Sequence, residues 1–375
     1  MRQDKTRAAV LREQPGKWSV EEVDLDDPGP TEVLVEMVAS GLCHSDDHAT
    51  TGDMPTALPI VGGHEGSGIV RSVGSQVHGL AEGDHVITSF IPGCGVCKYC
   101  ARGQGNLCNS GATILEGTQP SGGMKMHKNG EDIRAMGALG TFATWQVYDQ
   151  ISLVRIDPSI PLDVACLVAC GVQTGYGSAV NGADVRPGDV VIVMGCGGVG
   201  MNAVQGAAAA GAAHVIAVDP QPFKREQAPS FGATEVFADI AEADAFAKSI
   251  TNGQGADSAV VTIGVVTNEH IGQAFDAIAK AGTVVVTGIS RVDEGGVIPG
   301  YNAFSAAMLQ KRIQGALYGM DAPRNAMPRL LEQYTAGKLK LDELITTRYS
   351  LDDINTGYAD MHAGRNIRGV IDYSL

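Results

Sequence analysis

The sequence predicts an α/β protein of two domains, one mainly β and barrel-like, the other doubly wound around a parallel sheet. Its 375 residues are too many for one ordinary hydrophobic core. Early in the chain, short strand-like runs are separated by turn residues, as in GSGIVRSVGSQVHGLAEGDHVIT. From Gly182 onward, apolar strand candidates alternate with helical stretches, which is the pattern of a doubly wound sheet.

These patterns predict three ranges, 1–174, 175–320 and 321–375. The second range contains the strand candidates VVIVMG, HVIAVD, SAVVTI and GTVVVTG and the helical stretches GMNAVQGAAAAG and NEHIGQAFDAIAKA. The last range combines a helix, NAMPRLLEQYTAG, with a strand-like end, RGVIDYSL. We therefore expect the last range to return to the first domain.

Charge and cysteine content argue against several classes of protein. A formal net charge of −15 repels phosphate backbones and anionic lipid, so we expect neither nucleic-acid nor membrane partners. Residues 190–218 lack Asp, Glu, Lys and Arg, but their glycines favour a buried strand, a turn and a helix over a membrane span. Because MRQDKTRAAVLREQ has no apolar segment typical of a signal peptide, we expect a cytoplasmic protein whose cysteines bind metal rather than form disulfides.

Four cysteines occur close together in CGVCKYCARGQGNLC, at a C-x2-C-x2-C-x7-C spacing: Cys94, Cys97, Cys100 and Cys108. Four thiolates can close tetrahedrally around one zinc ion and leave no open position, which predicts a structural site. Cysteines packed as small hydrophobes are disfavoured because the segment is polar. An iron–sulfur cluster is the other alternative, although the bacterial ferredoxin pattern has a shorter last gap.

A second metal site is indicated by the segments GLCHSDDHATTGD and IVGGHEGSGIV. Cys43 and His64 are suitable zinc ligands, and the acids beside them are suitable partners for those ligands. Taken singly, each of the two is more often inert or structural. A third thiolate would leave one position open for substrate, and the spacing does not decide between Cys166 and Cys170.

A dinucleotide-binding loop is predicted by Gly195, Gly197 and Gly200, which stand in G-x-G-x-x-G register between a strand and a helix. These glycines allow a tight turn and close approach of a pyrophosphate to the helix N-terminus. Asp219 ends the next strand, where a carboxylate would accept both ribose hydroxyls and repel the extra phosphate of NADP. The prediction is therefore NAD, with a turn acid that caps the next segment as the alternative.

Taken together, GLCHSDDH, GHEGSG, the four-cysteine segment, CGVQTGYG and GCGGVG resemble the zinc-containing medium-chain alcohol dehydrogenases over nearly the whole chain. The resemblance implies a GroES-like catalytic domain, a Rossmann coenzyme domain, two zinc ions per chain and NAD. It places the catalytic zinc ligands on Cys43, His64 and Cys170, because the family ligand directly precedes the G-V-x-T-G stretch. It also places metal-supporting acids at Asp46 and Glu65, and the proton relay at Ser45 and His48.

The remaining roles implied by the resemblance concern the pocket and the cofactor. Phe90 falls at a pocket-wall position, with plain core packing as the alternative. The other cofactor positions are His44 and Arg368 at the pyrophosphate, Lys224 at the adenosine ribose, and Thr174 and Gly198 beside the nucleotide.

The predicted reaction is oxidation of a primary or secondary alcohol to an aldehyde or ketone by hydride transfer to NAD, in a homodimer or homotetramer. A thiol-adduct formaldehyde dehydrogenase is one alternative, although members of that branch commonly have a different residue at the position of His48. Another is the nicotinoprotein branch, in which NAD stays bound and an external acceptor reoxidises it. A non-catalytic NAD-binding redox sensor would be expected to lose a zinc ligand, Ser45 or His48, and none is missing.

Overall fold

The computed structural model describes residues 4–291 and 295–375, which divide into two compact units. One unit runs to Cys170 and includes Ala322–Gly337 and Leu341–Leu375, and the other comprises Gly171–Asp321 and Lys338–Lys340. The first of these divisions lies between Cys170 and Gly171, and the boundary after residue 174 stays a prediction.

The first unit begins with a series of strands and two short helices. In chain order they are β1 Lys5–Leu11, β2 Ser19–Leu25, β3 Glu32–Gly41, α1 His44–Thr51, β4 Ile60–Val61, β5 Gly66–Val73, β6 His85–Thr88, β7 Met126–Lys128, β8 Glu131–Ala135, β9 Trp145–Asp149, β10 Leu153–Ile156 and α2 Leu162–Ala165.

The second unit then alternates helices and strands, after which the chain returns to the first unit. The second unit contains α3 Gly171–Gly177, β11 Val190–Met194, α4 Gly198–Ala209, β12 His214–Val218, α5 Pro222–Gln227, β13 Glu235–Phe237, α6 Ile240–Ile250, β14 Ala256–Val261, β15 Val265–Val266, α7 Asn268–Ala277, β16 Ile278–Val286, β17 Ile289–Ser290, α8 Ala303–Leu309 and β18 Arg312–Gly315. The returning elements are α9 Pro323–Thr335, β19 Ile345–Tyr349, α10 Ile354–His362 and β20 Arg368–Asp372.

The first unit is built from a closed barrel and a larger sheet. The barrel has the strand order β1-β2-β7-β8-β4, and the sheet has the order β10-β6-β5-β3-β20-β19, with β9 also paired to β3. Strand β20 pairs antiparallel with β3, with Val370 opposite Gly41, so the C-terminal strand lies beside the strand that leads into α1. Strand β3, EVLVEMVASG, is almost wholly buried between these neighbours, which makes it a rigid support for the residues that follow it.

The second unit is a doubly wound parallel sheet of order β13-β12-β11-β14-β16-β18. Strand order reverses between β11 and β14, and ligands of such sheets bind at the carboxyl ends of the strands at this point. Strand β11, VVIVM, is buried throughout, as a central strand covered on both faces must be. The predicted combination of a barrel-like domain and a doubly wound sheet is confirmed.

Two sequence stretches have different local outcomes. Residues 190–218 form β11, α4 and β12, and no helix within 4–291 or 295–375 is long and apolar enough to span a membrane. The predicted helix NEHIGQAFDAIAKA ends four residues early, because Ile278 is extended and pairs with Ala256 as the first residue of β16. A β-branched residue with a strand partner favours the sheet over another helical turn.

Candidate metal and cofactor sites

The four cysteines Cys94, Cys97, Cys100 and Cys108 form a compact cluster in the loop between β6 and β7. Their sulfur atoms all lie within 4.8 Å of one another. Backbone N–H groups point at these sulfurs: the Cys97 amide donates to Cys94 Sγ at 3.4 Å, and the Cys100 amide donates to Cys97 Sγ at 3.5 Å. Donation from the backbone of Cys100 and Asn109 lowers the pKa of Cys97 to about 6, which favours the thiolate that a metal requires.

The surroundings of this cluster are those of a metal-held lobe rather than of a hydrophobic core. Only Cys108 of the four cysteines is buried. Val96, which directly precedes Cys97, is 88% exposed. Cysteines packed as small hydrophobes would be buried, so their role as metal ligands fits better. Four thiols converge here, and none of the described residues adds a fifth ligand group, so a zinc ion at this site would have no position left for substrate.

A second cluster is buried and gathers ligands from three distant segments of the chain. One ligand atom each of Cys43, His64, Glu65 and Cys170 lies within 4.8 Å of the others. Cys43 immediately precedes α1, His64 lies between β4 and β5, and Cys170 follows the turn after α2. Cys166 is not in the cluster, and its Sγ donates instead to the carbonyl oxygen of Asp163 at 3.2 Å. The structure thus groups Cys170, rather than Cys166, with Cys43 and His64.

The orientation of His64 is set by Asp46 on α1. The Asp46 carboxylate accepts the Gly63 amide at 2.8 Å and lies 3.1 Å from Nδ1 of His64. Nε2 of His64 is buried and has no hydrogen-bond partner among the described residues. A buried imidazole nitrogen needs a partner. Because the Cys43 and Cys170 sulfurs lie within 4.8 Å of a ring nitrogen of His64, the donor set fits a zinc ion with Cys43, His64 and Cys170 as ligands.

Glu65, whose carboxylate belongs to this cluster, forms a buried ion pair with Arg368. Nη2 of Arg368 donates to Oε2 of Glu65, and both side chains are almost fully buried. Burial raises the pKa of Glu65 to about 7, although the charge of Arg368 opposes this shift. Gly41 leaves room for the pair, because a Cβ there would overlap Oε2 and lie 2.8 Å from Nη2. In this structure Arg368 therefore contacts Glu65, and its role at a pyrophosphate stays a prediction.

The predicted relay and pocket residues lie around α1 and His64. Ser45 Oγ lies 3.7 Å from Cys43 Sγ, whereas His48 is buried in the last turn of the same helix. The ring of Phe90 packs edge-to-face on His64, with centroids 5.7 Å apart. His44 is exposed at the start of α1. Phe90 thus contacts a predicted zinc ligand, a position that suits both a pocket wall and core packing.

In the second unit, the glycines predicted to bind a dinucleotide shape the turn between β11 and α4. Gly195 has φ +92°, and a Cβ on Gly200 would collide with the carbonyl oxygen of Gly195. A Cβ on Gly197, at the N-terminus of α4, would meet nothing within 4 Å. The turn therefore has the close backbone packing and the open space before a helix that a pyrophosphate requires.

Asp219 lies beside this turn at the end of β12 and is buried. Its Oδ2 accepts the Cys196 amide at 2.7 Å, and its Oδ1 accepts the Gln221 amide at 2.9 Å. Both interpretations of this residue thus have a structural basis, because it contacts the glycine turn and also caps the next segment. Lys224 is half-buried on α5, and Thr174 is buried on α3.

Two contacts of α1 were not predicted from the sequence. Oδ2 of Asp47 lies 2.7 Å from Nε2 of His362 on α10, and Oδ2 of Asp53 lies 3.6 Å from Nδ1 of His48. The first joins residues 315 positions apart and has no local sequence signal. The second lies within the segment GLCHSDDHATTGD, where an acid five residues after the histidine was available as a signal.

Comparison with known proteins agrees with this geometry. Residues 29–158 match the alcohol dehydrogenase GroES-like domain, and residues 198–336 match the zinc-binding dehydrogenase family. An NDMA-dependent alcohol dehydrogenase from Amycolatopsis methanolica is 48% identical over 376 residues, which cover 99% of each chain. This chain belongs to the zinc-containing medium-chain alcohol dehydrogenase family. The predicted resemblance to that family is confirmed.

Solved structures extend the match to the whole fold. Benzyl alcohol dehydrogenase from Acinetobacter calcoaceticus superposes with a TM-score of 0.90 at 29% identity and covers 98% of this chain and 99% of its own. A zinc-binding dehydrogenase from Sinorhizobium meliloti 1021, bound to NADP, superposes with a TM-score of 0.78 at 26% identity, over 99% of this chain and 100% of its own. The predicted GroES-like and Rossmann domains are confirmed, as is the assignment to the zinc alcohol dehydrogenases.

Proposed function

We propose that this alcohol dehydrogenase oxidises a primary or secondary alcohol to an aldehyde or ketone, with NAD as the hydride acceptor. The observation that carries the proposal is the buried Cys43, His64 and Cys170 cluster with Ser45 beside it. Because the Glu65 carboxylate is engaged by Arg368, a zinc ion held by Cys43, His64 and Cys170 would keep one position for substrate, whereas the four-cysteine cluster would leave none. A purely structural zinc protein needs no such open site.

The residues around the buried cluster prepare it for a metal. Asp46 holds Nδ1 of His64, so Nε2 is directed to the ligand position. A hydrogen bond from Cys170, together with the nearby charge of His64, lowers the pKa of Cys43 well below its usual value. Zinc bound there supplies a Lewis acid that lowers the pKa of an alcohol hydroxyl.

The chain itself handles the proton released from the alcohol. Ser45 Oγ, next to Cys43, would accept the alcohol proton while its own hydroxyl proton passes on towards His48, which holds that proton before its release to solvent. Because His48 is buried, its ring is held in place rather than free in water. This assignment rests on the positions of the two side chains along one face of α1 and on the family resemblance.

The preference for NAD rests on Asp219. Its buried carboxylate accepts backbone amides and has no basic side chain among its described hydrogen-bond partners. The 2′-phosphate of NADP would be forced against this negative charge, which is costly. The structural neighbour bound to NADP makes a direct test necessary. We expect the wild-type chain to prefer NAD over NADP. Asp219→Ala should reduce that preference by about tenfold or more, because it removes the repulsion between the carboxylate and the 2′-phosphate. An unchanged NAD to NADP ratio in the variant would refute this role.

We further propose that NAD remains bound through turnover and that an external acceptor reoxidises it. The relative named as NDMA-dependent, at 48% identity over nearly the whole chain, supports this assignment. Freshly purified protein should then keep a cofactor absorbance band through gel filtration and should oxidise alcohol with NDMA but without added NAD. Loss of the band, with activity only when NAD is added, would instead identify an exchangeable cofactor.

The central experiment measures benzyl alcohol and ethanol oxidation before and after removal of zinc by a chelator. We expect activity to disappear with the catalytic zinc and to return when zinc is restored, since Cys43, His64 and Cys170 cannot activate an alcohol without it. Full activity after verified loss of both metal ions would contradict the proposed mechanism. A chain that binds NAD yet oxidises no alcohol would favour the redox-sensor alternative.

We also propose that the protein is a homo-oligomer that associates through its second unit. The segment Val297–Leu317 exposes several large apolar side chains, including Val297 at 81%, Phe304 at 74% and Met308 at 66%. It also contains β18, which lies at the end of its sheet. Exposed apolar surface of this kind is usually covered by a partner. Light scattering should give a dimer or tetramer, and Phe304→Glu should shift it towards the monomer.

A further inference from the structure

We infer that Asp53 is a positioning residue for His48: its carboxylate accepts a hydrogen bond from the Nδ1–H group and so leaves Nε2 as the nitrogen that accepts the relayed proton. The inference rests on the proposed function, in which His48 holds the substrate proton. It adds a residue to the relay that neither the sequence motifs nor the family match assigns.

The backbone after α1 brings Asp53 back towards His48. Gly52 ends the helix in the left-handed conformation, with φ 90°, and its amide donates to the His48 carbonyl oxygen at 3.2 Å. Oδ2 of Asp53 then lies 3.6 Å from Nδ1 of His48. Thr51 Oγ1 donates to the same carboxylate oxygen at 2.7 Å, which holds the Asp53 side chain in this orientation.

The other carboxylates near His48 are engaged with different partners. Asp46 interacts with His64 and the Gly63 amide. Asp47 interacts with His362 and with Thr50 Oγ1. Among the described residues, Asp53 is the carboxylate that faces the His48 ring. Its side chain is 21% exposed, whereas that of His48 is only 4% exposed. It therefore connects a buried imidazole to the solvent side of the helix.

The chemical consequence concerns the tautomer of His48. A neutral imidazole has one donor and one acceptor nitrogen, and the partner of the donor decides which nitrogen is basic. A carboxylate at Nδ1 selects the form with a lone pair on Nε2, which is then the nitrogen that can accept the substrate proton. Catalytic contacts are often longer than a normal hydrogen bond before substrate binds, so 3.6 Å is compatible with this pairing.

The kinetic test is a double-mutant cycle of Asp53→Asn and His48→Gln in the cofactor- and zinc-loaded enzyme. Asp53→Asn keeps the side-chain size but removes the charge. We expect it to lower kcat on the order of tenfold, a fraction of the ~10²–10⁴-fold that a general base contributes, with little change in KM. In the His48→Gln background the same substitution should have no further effect. An equal loss in both backgrounds would overturn the inference, because Asp53 would then act independently of His48.

A matched control and a conservative variant separate positioning from damage to the fold. Asp352→Asn removes a surface carboxylate paired with Arg7 at 2.7 Å and should leave kcat and KM unchanged. Asp53→Glu should recover part of the lost rate because it restores the charge. If Asp53→Asn folds poorly, Thr51→Ala provides the test instead, since it removes only the donor that orients Asp53 and should give a smaller fall in kcat.

A spectroscopic readout is independent of turnover. In protein labelled with ¹⁵N-histidine, we expect the His48 ring to carry its proton on Nδ1 in the wild type and to lose this preference in Asp53→Asn. If the wild type oxidises alcohol but Asp53→Asn shows the same ¹⁵N shifts and the same kcat as the wild type, the inference is overturned and the proposed function stands. If instead the wild type oxidised no alcohol, the proposed function would fail, and the ring tautomer would still report whether Asp53 orients His48.

Discussion

The two cysteine clusters of this chain are built in opposite ways. The four-cysteine cluster takes all its sulfurs from residues 94–108 in a loop whose surroundings are half exposed. The buried cluster gathers its candidate ligands from positions 43, 64, 65 and 170, which β3, β5 and the turn after α2 bring together. A local cluster can form with little help from the fold, whereas the buried one depends on the packing of the entire first unit.

Their chemical surroundings differ in the same direction. Backbone amides surround the sulfurs of the four-cysteine cluster. The buried cluster instead contains and contacts ionisable side chains: Asp46 lies against His64, and Glu65 is paired with Arg368. The first arrangement is therefore suited to holding a loop, and the second to tuning a reactive metal.

The largest expected effect comes from replacing one ligand of the buried cluster. Cys170→Ser should lower alcohol oxidation by about 10³-fold or more, because loss of the Lewis acid removes several kcal/mol of stabilisation. Metal analysis should show that the chain keeps the zinc of the four-cysteine cluster. Cys166→Ser is the matched control, since Cys166 is equally buried but outside the cluster. A larger loss from Cys166→Ser would mean that the wrong cysteine has been assigned.

A ligand of the four-cysteine cluster should affect stability more than chemistry. Cys97→Ser removes one of four thiolates, so we expect loss of its zinc and a thermal midpoint lower by several degrees. Below that midpoint, kcat should remain within a few-fold of the wild type. A loss of kcat as large as that of Cys170→Ser, with the fold intact, would break the distinction between a structural and a reactive site.

The two clusters also show how far sequence predicts a site. The spacing of Cys94, Cys97, Cys100 and Cys108 was sufficient to predict their convergence, because neighbours in a loop stay close whatever the remaining fold does. Cys166 and Cys170 could not be separated by spacing, since both lie in one short stretch. The turn after α2 decides between them, as it directs Cys166 to the Asp163 carbonyl and Cys170 to the cluster.

Ion pairs between residues far apart in the chain could not be predicted from the sequence. Arg368 and Glu65 are 303 positions apart, and the pairing of β20 with β3 is what brings them together. The strands and helices themselves were predictable from their hydrophobic periodicity. The ends of these elements were harder to predict. Helix α7 ends earlier than predicted because Ile278 pairs with Ala256 in the sheet instead of continuing the helix.

Gly41→Ala tests whether the buried cluster depends on the ion pair of Glu65 and Arg368. The added Cβ would overlap Glu65 and displace Arg368, so we expect a rate loss of about 10–100-fold, typical of losing a group that supports metal ligands. Zinc in the four-cysteine cluster should be unaffected. Gly111→Ala is the control, because its Cβ would have only ordinary contacts at 3.6 Å or more. Wild-type activity in Gly41→Ala would show that the pair has no part in supporting the site.

The smallest effect is expected at a polar cluster that has no thiol. His127 lies 3.1 Å from Asp26 through Nε2 and 2.8 Å from Asp132 through Nδ1, so both ring nitrogens face carboxylates and neither is directed to a shared metal position. Burial opposes a charge on the ring, but the hydrogen bonds to the two acids outweigh it and raise the pKa of His127 above 6.5. The resulting stability is therefore fully present below pH ~6.5, the ordinary histidine value, and is lost as pH rises through the higher folded value.

His127→Gln should accordingly lower the free energy of unfolding by less than about 1 kcal/mol at pH 5.5, as for an exposed ion pair, and by close to nothing at pH ~9. Denaturant unfolding at the two pH values measures this difference. Activity and zinc content should match the wild type at both, because the cluster takes part in neither metal site. A destabilisation that grew towards pH 9 would contradict the raised pKa. A loss of zinc in the variant would mean that His127, Asp26 and Asp132 also bind metal. Thiols would then not be what distinguishes the two cysteine clusters from this polar cluster.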